Sequence, residues 1–200
     1  MSTSTERKPL IETFCPSLSR QDVQAFIHKT FLVIGGSLLL TMSAKINVPF
    51  YPVPMTMQTF AVVMIGAAFG WRLGVATVLL YLAQGAYGLP VFAGTPEKGI
   101  GLAYMAGPTG GYLLGFVAGA AIAGWFAAHG WNRSFLSLTL AMFIAHATIF
   151  VFGTAWLGTL IGFEKAWLAG VAPFYLATAF KTLLAAAFLK ACWSMARSRK

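Results

Sequence analysis

The chain reads as an all-α integral membrane protein, and three observations carry that reading. Hydrophobic residues fill 58% of its 200 positions and charged residues only 10%, too little polar surface to coat a soluble globule. Mean hydropathy is +0.74. The apolar residues fall in six continuous runs rich in Gly, Ala and Leu, where a transmembrane β-barrel would alternate apolar and polar positions. Residues 26–195 are expected to form one membrane domain, preceded by a cytoplasmic segment at 1–25 and followed by a basic cytoplasmic tail at 196–200.

A bilayer core about 30 Å thick takes about 20 apolar residues of helix. The runs lie at about 26–44, 56–70, 73–88, 106–128, 134–160 and 168–195. The first carries a face of small residues, Gly36, Ser37, Thr41 and Ala44, suited either to packing in the bundle or to docking a partner. The second and third runs are short and separated only by Trp71 and Arg72, which predicts a tight helical hairpin. In the fourth, Gly111, Gly115 and Gly119 recur at intervals of four, followed by Gly124, and form a smooth strip for close approach of another helix. The sixth is expected to open at Pro173, a residue suited to the first helical position.

Six spans place both termini on one side. Arg7, Lys8, Arg20, Lys29, Arg72, Arg133, Lys190, Arg197, Arg199 and Lys200 fall on that side, against Lys45, Lys98 and Lys165 on the other, so both termini are expected in the cytoplasm. The same distribution argues against nucleic acid as the partner of the net +9 charge, because the cations occupy short gaps between apolar runs rather than one solvated face. The outer connections, about 45–55, 89–105 and 161–172, are longer than the inner ones and hold most of the Pro, Gly and acidic residues, so recognition is expected there.

Catalytic and metal chemistry find no support. Cys15 and Cys192 are too few for a disulfide framework, and His28, His129 and His146 lack the spacing of a metal-binding helix. Gly94 and Gly99 have the spacing of a phosphate loop, but Ile100 stands where Lys is required. The chain is therefore not expected to be an enzyme.

Lys181 is the sharpest signal. It stands inside the sixth run, about 12 Å along the helix from Pro173. An ammonium there costs about 2.5–3.5 kcal/mol on insertion scales, which calls for a partner. The candidates are an anionic ligand, a loop carboxylate such as Glu97 or Glu164, or backbone carbonyls; the alternative is snorkelling to an interface. In the first outer loop, Pro49, Pro52 and Pro54 stiffen the backbone beside Thr56, Gln58 and Thr59, a rigid apolar flap next to hydrogen-bonding groups.

Three segments, Val53-Pro54-Met55-Thr56-Met57-Gln58-Thr59, Gly88-Leu89-Pro90-Val91-Phe92-Ala93-Gly94 and Gly107-Pro108-Thr109-Gly110-Gly111-Tyr112-Leu113, occur in this order. Together they resemble the BioY family, the biotin-specific substrate-binding S component of energy-coupling factor (ECF) vitamin transporters, over about residues 30–190. The family's closing segment is matched at Pro173-Phe174 and Lys181, whereas Leu176 and Ala177 replace its Pro-Gly and Thr178 stands where it has Asp.

The resemblance implies an S-component-type bundle in the bacterial inner membrane, with one outward-facing pocket roofed by the first and second outer loops. Biotin would offer a carboxylate for a cation, a ureido ring for Gln58, Gln84, Thr178 or Tyr112, and an apolar ring and chain for Tyr87 and Phe92; Lys181 is the first candidate contact, with either end of the ligand open to it. It also implies a transmembrane coupling subunit and cytoplasmic ATPases, since the chain has no nucleotide loop of its own; the small-residue face of the first span would dock them. No cofactor is implied, and homo-oligomerisation stays open. A stand-alone facilitator or ion-coupled carrier, in which Lys181 changes protonation, is the rival reading. A structural membrane protein using the glycine strip is the third.

Overall fold

The computed structural model describes residues 9–19, 22–49, 51–132 and 134–198. Of the cations tallied above, Arg7, Lys8, Arg20, Arg133, Arg199 and Lys200 lie outside the described residues, as does the side chain of Arg197.

A short helix α1 (Leu10–Phe14) and a 3-10 turn (Pro16–Ser19) precede the first long helix, α2 (Val23–Lys45). Asp22 caps α2, its carboxylate accepting from the Ala25 amide at 2.8 Å and so satisfying one of the orphan N–H groups of the first turn. The first outer loop then folds into a two-residue hairpin, β1 (Asn47–Val48) against β2 (Met55–Thr56), with Asn47 opposite Thr56 and Val48 opposite Met55.

Helices α3 (Gln58–Phe69) and α4 (Trp71–Ala86) follow, joined by Gly70 alone. The hairpin expected here is present, but its turn is Gly70 rather than Trp71 and Arg72, which belong to the first turn of α4. The reason is backbone geometry: Gly70 has φ 81°, which only a residue without Cβ adopts at little cost.

After the second outer loop come α5 (Gly101–Met105) and α6 (Gly110–Phe126), the latter running into a π-helical turn (Ala127–Trp131). Ser134 caps α7 (Phe135–Ile161), accepting from the Ser137 amide at 3.0 Å. The third outer connection, expected as a loop over 161–172, is instead largely the helix α8 (Phe163–Gly170). It lacks an internal Pro or Gly to break it, and Pro173 enters only in the following 3-10 turn (Ala172–Phe174). The last helix, α9 (Tyr175–Ser198), thus begins two residues later than Pro173.

Four stretches of the described residues are long and apolar enough to cross a membrane: α2, Gly110–Trp131, α7 and Phe163–Ala196. α3 and α4 are shorter, at 12 and 16 residues. α6 is central, packing on α3, α4 and α7. The glycine strip explains how closely: a Cβ at Gly115 would lie 2.9 Å from the Ile149 carbonyl oxygen of α7, and one at Gly124 2.6 Å from the Trp71 Cα of α4. Helix α2 shows two unlike faces. Phe26, Phe31 and Met42 are exposed, as suits lipid contact, whereas Gly36, Ser37, Leu40 and Ala44 are buried inside the chain.

Candidate functional site

The loop between α2 and α3 (the first loop) and that between α4 and α5 (the second) converge on one cavity, and each is fixed there by side chains reaching in from the helices. In the first loop, the Gln58 amide N–H donates to the Thr56 hydroxyl at 3.2 Å, so Thr56 starts α3 much as a capping residue does. The Gln58 side chain is held from the far side, its Nε2 donating to the Tyr81 hydroxyl of α4 at 2.6 Å.

In the second loop, four backbone carbonyls are each taken by a donor. Tyr81 donates to Val91 at 3.2 Å, Tyr104 of α5 donates to Ala93 at 2.7 Å, and the Lys45 ammonium, in the last turn of α2, donates to both Phe92 and Thr95 at 3.1 Å. Burial raises the Tyr104 phenol above its ordinary value, so it stays protonated and able to donate at neutral pH. Between these ties the Phe92 ring lies edge-on to Tyr81, with centroids 5.5 Å apart, and stacks on Tyr104 at 4.9 Å. It rests on Gly85, where any Cβ would collide with the ring.

Lys45 is exposed, so it is a test of this arrangement that leaves the core intact. Lys45→Met is expected to lower the protection of the amides around Phe92–Thr95 by about 1–3 kcal/mol, read by hydrogen–deuterium exchange, with α6 and α7 unchanged. Unaltered exchange in the loop would show that the lysine contributes nothing to its order.

From the opposite wall, Lys181 is 6% exposed and its ammonium donates to the Thr56 carbonyl at 2.6 Å, tying α9 to β2. Of the partners open to it from the sequence, the structure selects a backbone carbonyl, and the ammonium does not snorkel. Among the described residues, no acid lines the cavity. An ammonium has three N–H groups, so this bond leaves two for another acceptor. The remaining walls are Val53, Pro54, Thr59, Thr109, Leu113 and Phe116, with Tyr112, Phe150, Phe174 and Thr178 closing the side. Tyr112 is placed by its hydroxyl, which donates to the Gly170 carbonyl at 2.8 Å, and by Gly153, whose missing side chain leaves room for the ring.

The chain's similarities follow the same segments. The sequence profile of the BioY family matches residues 16–198. The chain belongs to the BioY family.

Among BioY relatives, a protein of Pyrococcus horikoshii described as a probable biotin transporter is 39% identical over 68% of this chain and 78% of its own length. One of Lactococcus lactis subsp. cremoris, described as a biotin transporter, is 30% identical over 81% of this chain and 88% of its own. The crystal structure of an S-component for biotin from an ECF-type ABC transporter superposes with a TM-score of 0.76 at 18% identity, covering 88% of this chain and 95% of that one. At that identity the superposition speaks for the fold. BioY membership places the chain among membrane transporter components and not among enzymes, in keeping with its sequence.

Lys181, Thr178, Gln58, Phe92 and Tyr112 all line the one cavity, whereas Gln84 and Tyr87 do not. Tyr87 follows the end of α4 and is 93% exposed. Gln84 stands near the end of α4, half-buried and outside the cavity lining. The small-residue face of α2 packs against α4 within the chain. Gly36, Ser37 and Ala44 are buried, and a Cβ at Gly36 would lie 2.6 Å from Thr77 Cγ2 of α4; Thr41 is only half-buried beside them.

The sequence missed Tyr81 and Lys45 as builders of the loops, and Tyr104, Phe116, Phe150 and Phe174 as walls. Only Tyr104 carried a signal, as a phenol beside the Gly-rich second loop. A phenylalanine facing a cavity and one facing lipid look alike within an apolar run.

Proposed function

We propose that this chain captures biotin as the S component of an ECF-type transporter in the bacterial inner membrane. On this reading six helices, α2, α3, α4, α6, α7 and α9, cross the membrane, the short pair α3 and α4 included, and both termini lie in the cytoplasm. The cavity faces outward, and a transmembrane coupling subunit with cytoplasmic ATPases drives delivery inward, since the chain carries no phosphate-binding loop.

The observation that supports this best is the Lys181 ammonium, buried at an apolar cavity that no acid lines among the described residues. A buried cation whose bond among the described residues is to a neutral carbonyl is under-compensated, and a monoanionic ligand with an apolar body supplies what is missing. Biotin has that form: a carboxylate for Lys181, a ureido ring for hydroxyls such as those of Thr59 and Thr178, and a ring and chain for Phe92, Phe116 and Leu113. The relatives' descriptions as biotin transporters point the same way.

The test is calorimetric titration of the purified chain in nanodiscs with biotin, where saturable one-to-one binding is expected and no heat of binding would overturn the reading. In liposomes, concentrative uptake is expected only with the coupling subunit, the ATPases and ATP. Uptake by the chain alone would instead favour a self-sufficient carrier.

A further inference from the structure

The ligand cavity leaves only about 50 Å3 of free space, whereas small-molecule sites run to roughly 300–1,000 Å3. A bicyclic acid can be enclosed only if a wall yields. The second loop is pinned through four carbonyls by Tyr81, Lys45 and Tyr104. α6 cannot retreat, because its glycines already meet the backbone of neighbouring helices, Gly115 against Ile149 and Gly124 against Trp71.

One wall has room behind it. Phe150 of α7, Phe174 before α9 and Thr178 line the cavity on one side and, on the other, a groove of about 970 Å3 between α7 and α9. The two rings stand with centroids 6.0 Å apart. The groove is walled by apolar residues such as Leu140, Phe143, Ala147, Val151, Ala179 and Leu183. A second hollow, about 270 Å3 between the β1–β2 hairpin and α9, lies behind Lys181 and Thr56, but yielding there would carry the ammonium away from the ligand it is to hold.

We propose that Phe150 and Phe174 are the specificity-determining wall of this cavity, and that their rings swing into the α7–α9 groove to make the space a bound ligand occupies. This rests on the proposed capture of biotin. It makes the groove part of the binding site although the ligand never enters it, and it makes the two rings the limit on ligand size.

Filling the groove tests this without touching the cavity. Ala147 and Ala179 line only the groove and are exposed on its surface, so a larger side chain is accommodated by the fold. In nanodiscs, Ala147→Phe and Ala179→Phe are expected to weaken biotin binding at least tenfold, while Leu114→Phe, on an exposed face of α6 outside both spaces, leaves it unchanged. Adding Phe150→Ala to Ala147→Phe is expected to restore most of the loss, since the ring no longer needs the groove. Phe150→Ala alone is expected to bind biotinyl-6-aminohexanoate, a lengthened acid, at least tenfold more tightly than wild type does. Wild-type affinity for biotin in both filled-groove variants would overturn this proposal and leave biotin capture standing. Absence of biotin binding by the wild type would overturn both.

Discussion

Lys181→Ala is expected to weaken biotin binding at least tenfold without destabilising the protein. The binding loss follows from removing a charged donor, whose hydrogen bonds to a ligand contribute about 1.5–3 kcal/mol. Stability responds differently because two effects oppose each other. Removing the ammonium relieves its insertion cost, about 2.5–3.5 kcal/mol, while the Thr56 carbonyl loses its donor, which costs about 1–3 kcal/mol if the group stays dry. The near-cancellation predicts a melting temperature in detergent within a few degrees of wild type. Calorimetry that returns wild-type affinity in this variant would take Lys181 out of the ligand's reach.

The second large effect is on assembly of the bundle. Gly115→Val is expected to destabilise the protein by at least about 3 kcal/mol, beyond the usual cost of an overfilled core. Its Cβ would meet the Ile149 carbonyl oxygen at 2.9 Å and the Ile149 Cα at 3.0 Å, and both are backbone atoms that cannot rotate away. α7 would have to move off α6, and with it Phe150 and the wall it gives the cavity. Gly35→Val is the matched control, since a Cβ at Gly35 has nothing within 4 Å. Thermal unfolding and size-exclusion profiles of the two variants read the difference, and equal stability would mean that α6 and α7 are not held by backbone contact at this point.

The first five apolar runs each fall on one helix, because apolar composition over that length leaves the backbone few alternatives to internal hydrogen bonding, whereas the sixth, 168–195, starts in the end of α8 and crosses a 3-10 turn before α9. Helix ends were less legible. The turn at Gly70 needs a positive φ that competes with the neighbouring Trp71 and Arg72 as a visible polar break, and α8 hides in a stretch whose Glu164 and Lys165 resemble a solvated loop. In the site, Lys181 and Gln58 stood out because a polar side chain in a lipid-embedded run needs a reason. Gln84 looks equivalent in the sequence; what separates the two is that Gln58 opens α3 at the cavity, held there by Tyr81, while Gln84 near the end of α4 lies outside the lining, a difference set by tertiary packing. The small face of α2 was ambiguous for a similar reason: small residues allow close approach without naming the neighbour, and α4 takes that place.

The four tethered carbonyls of Val91, Phe92, Ala93 and Thr95 have a thermodynamic consequence. Fixing a residue's backbone costs about 1–2 kcal/mol of chain entropy, and here that loss is incurred when the protein folds rather than when a vitamin arrives. This half of the roof is thus pre-ordered, and its ordering adds nothing to the cost of association.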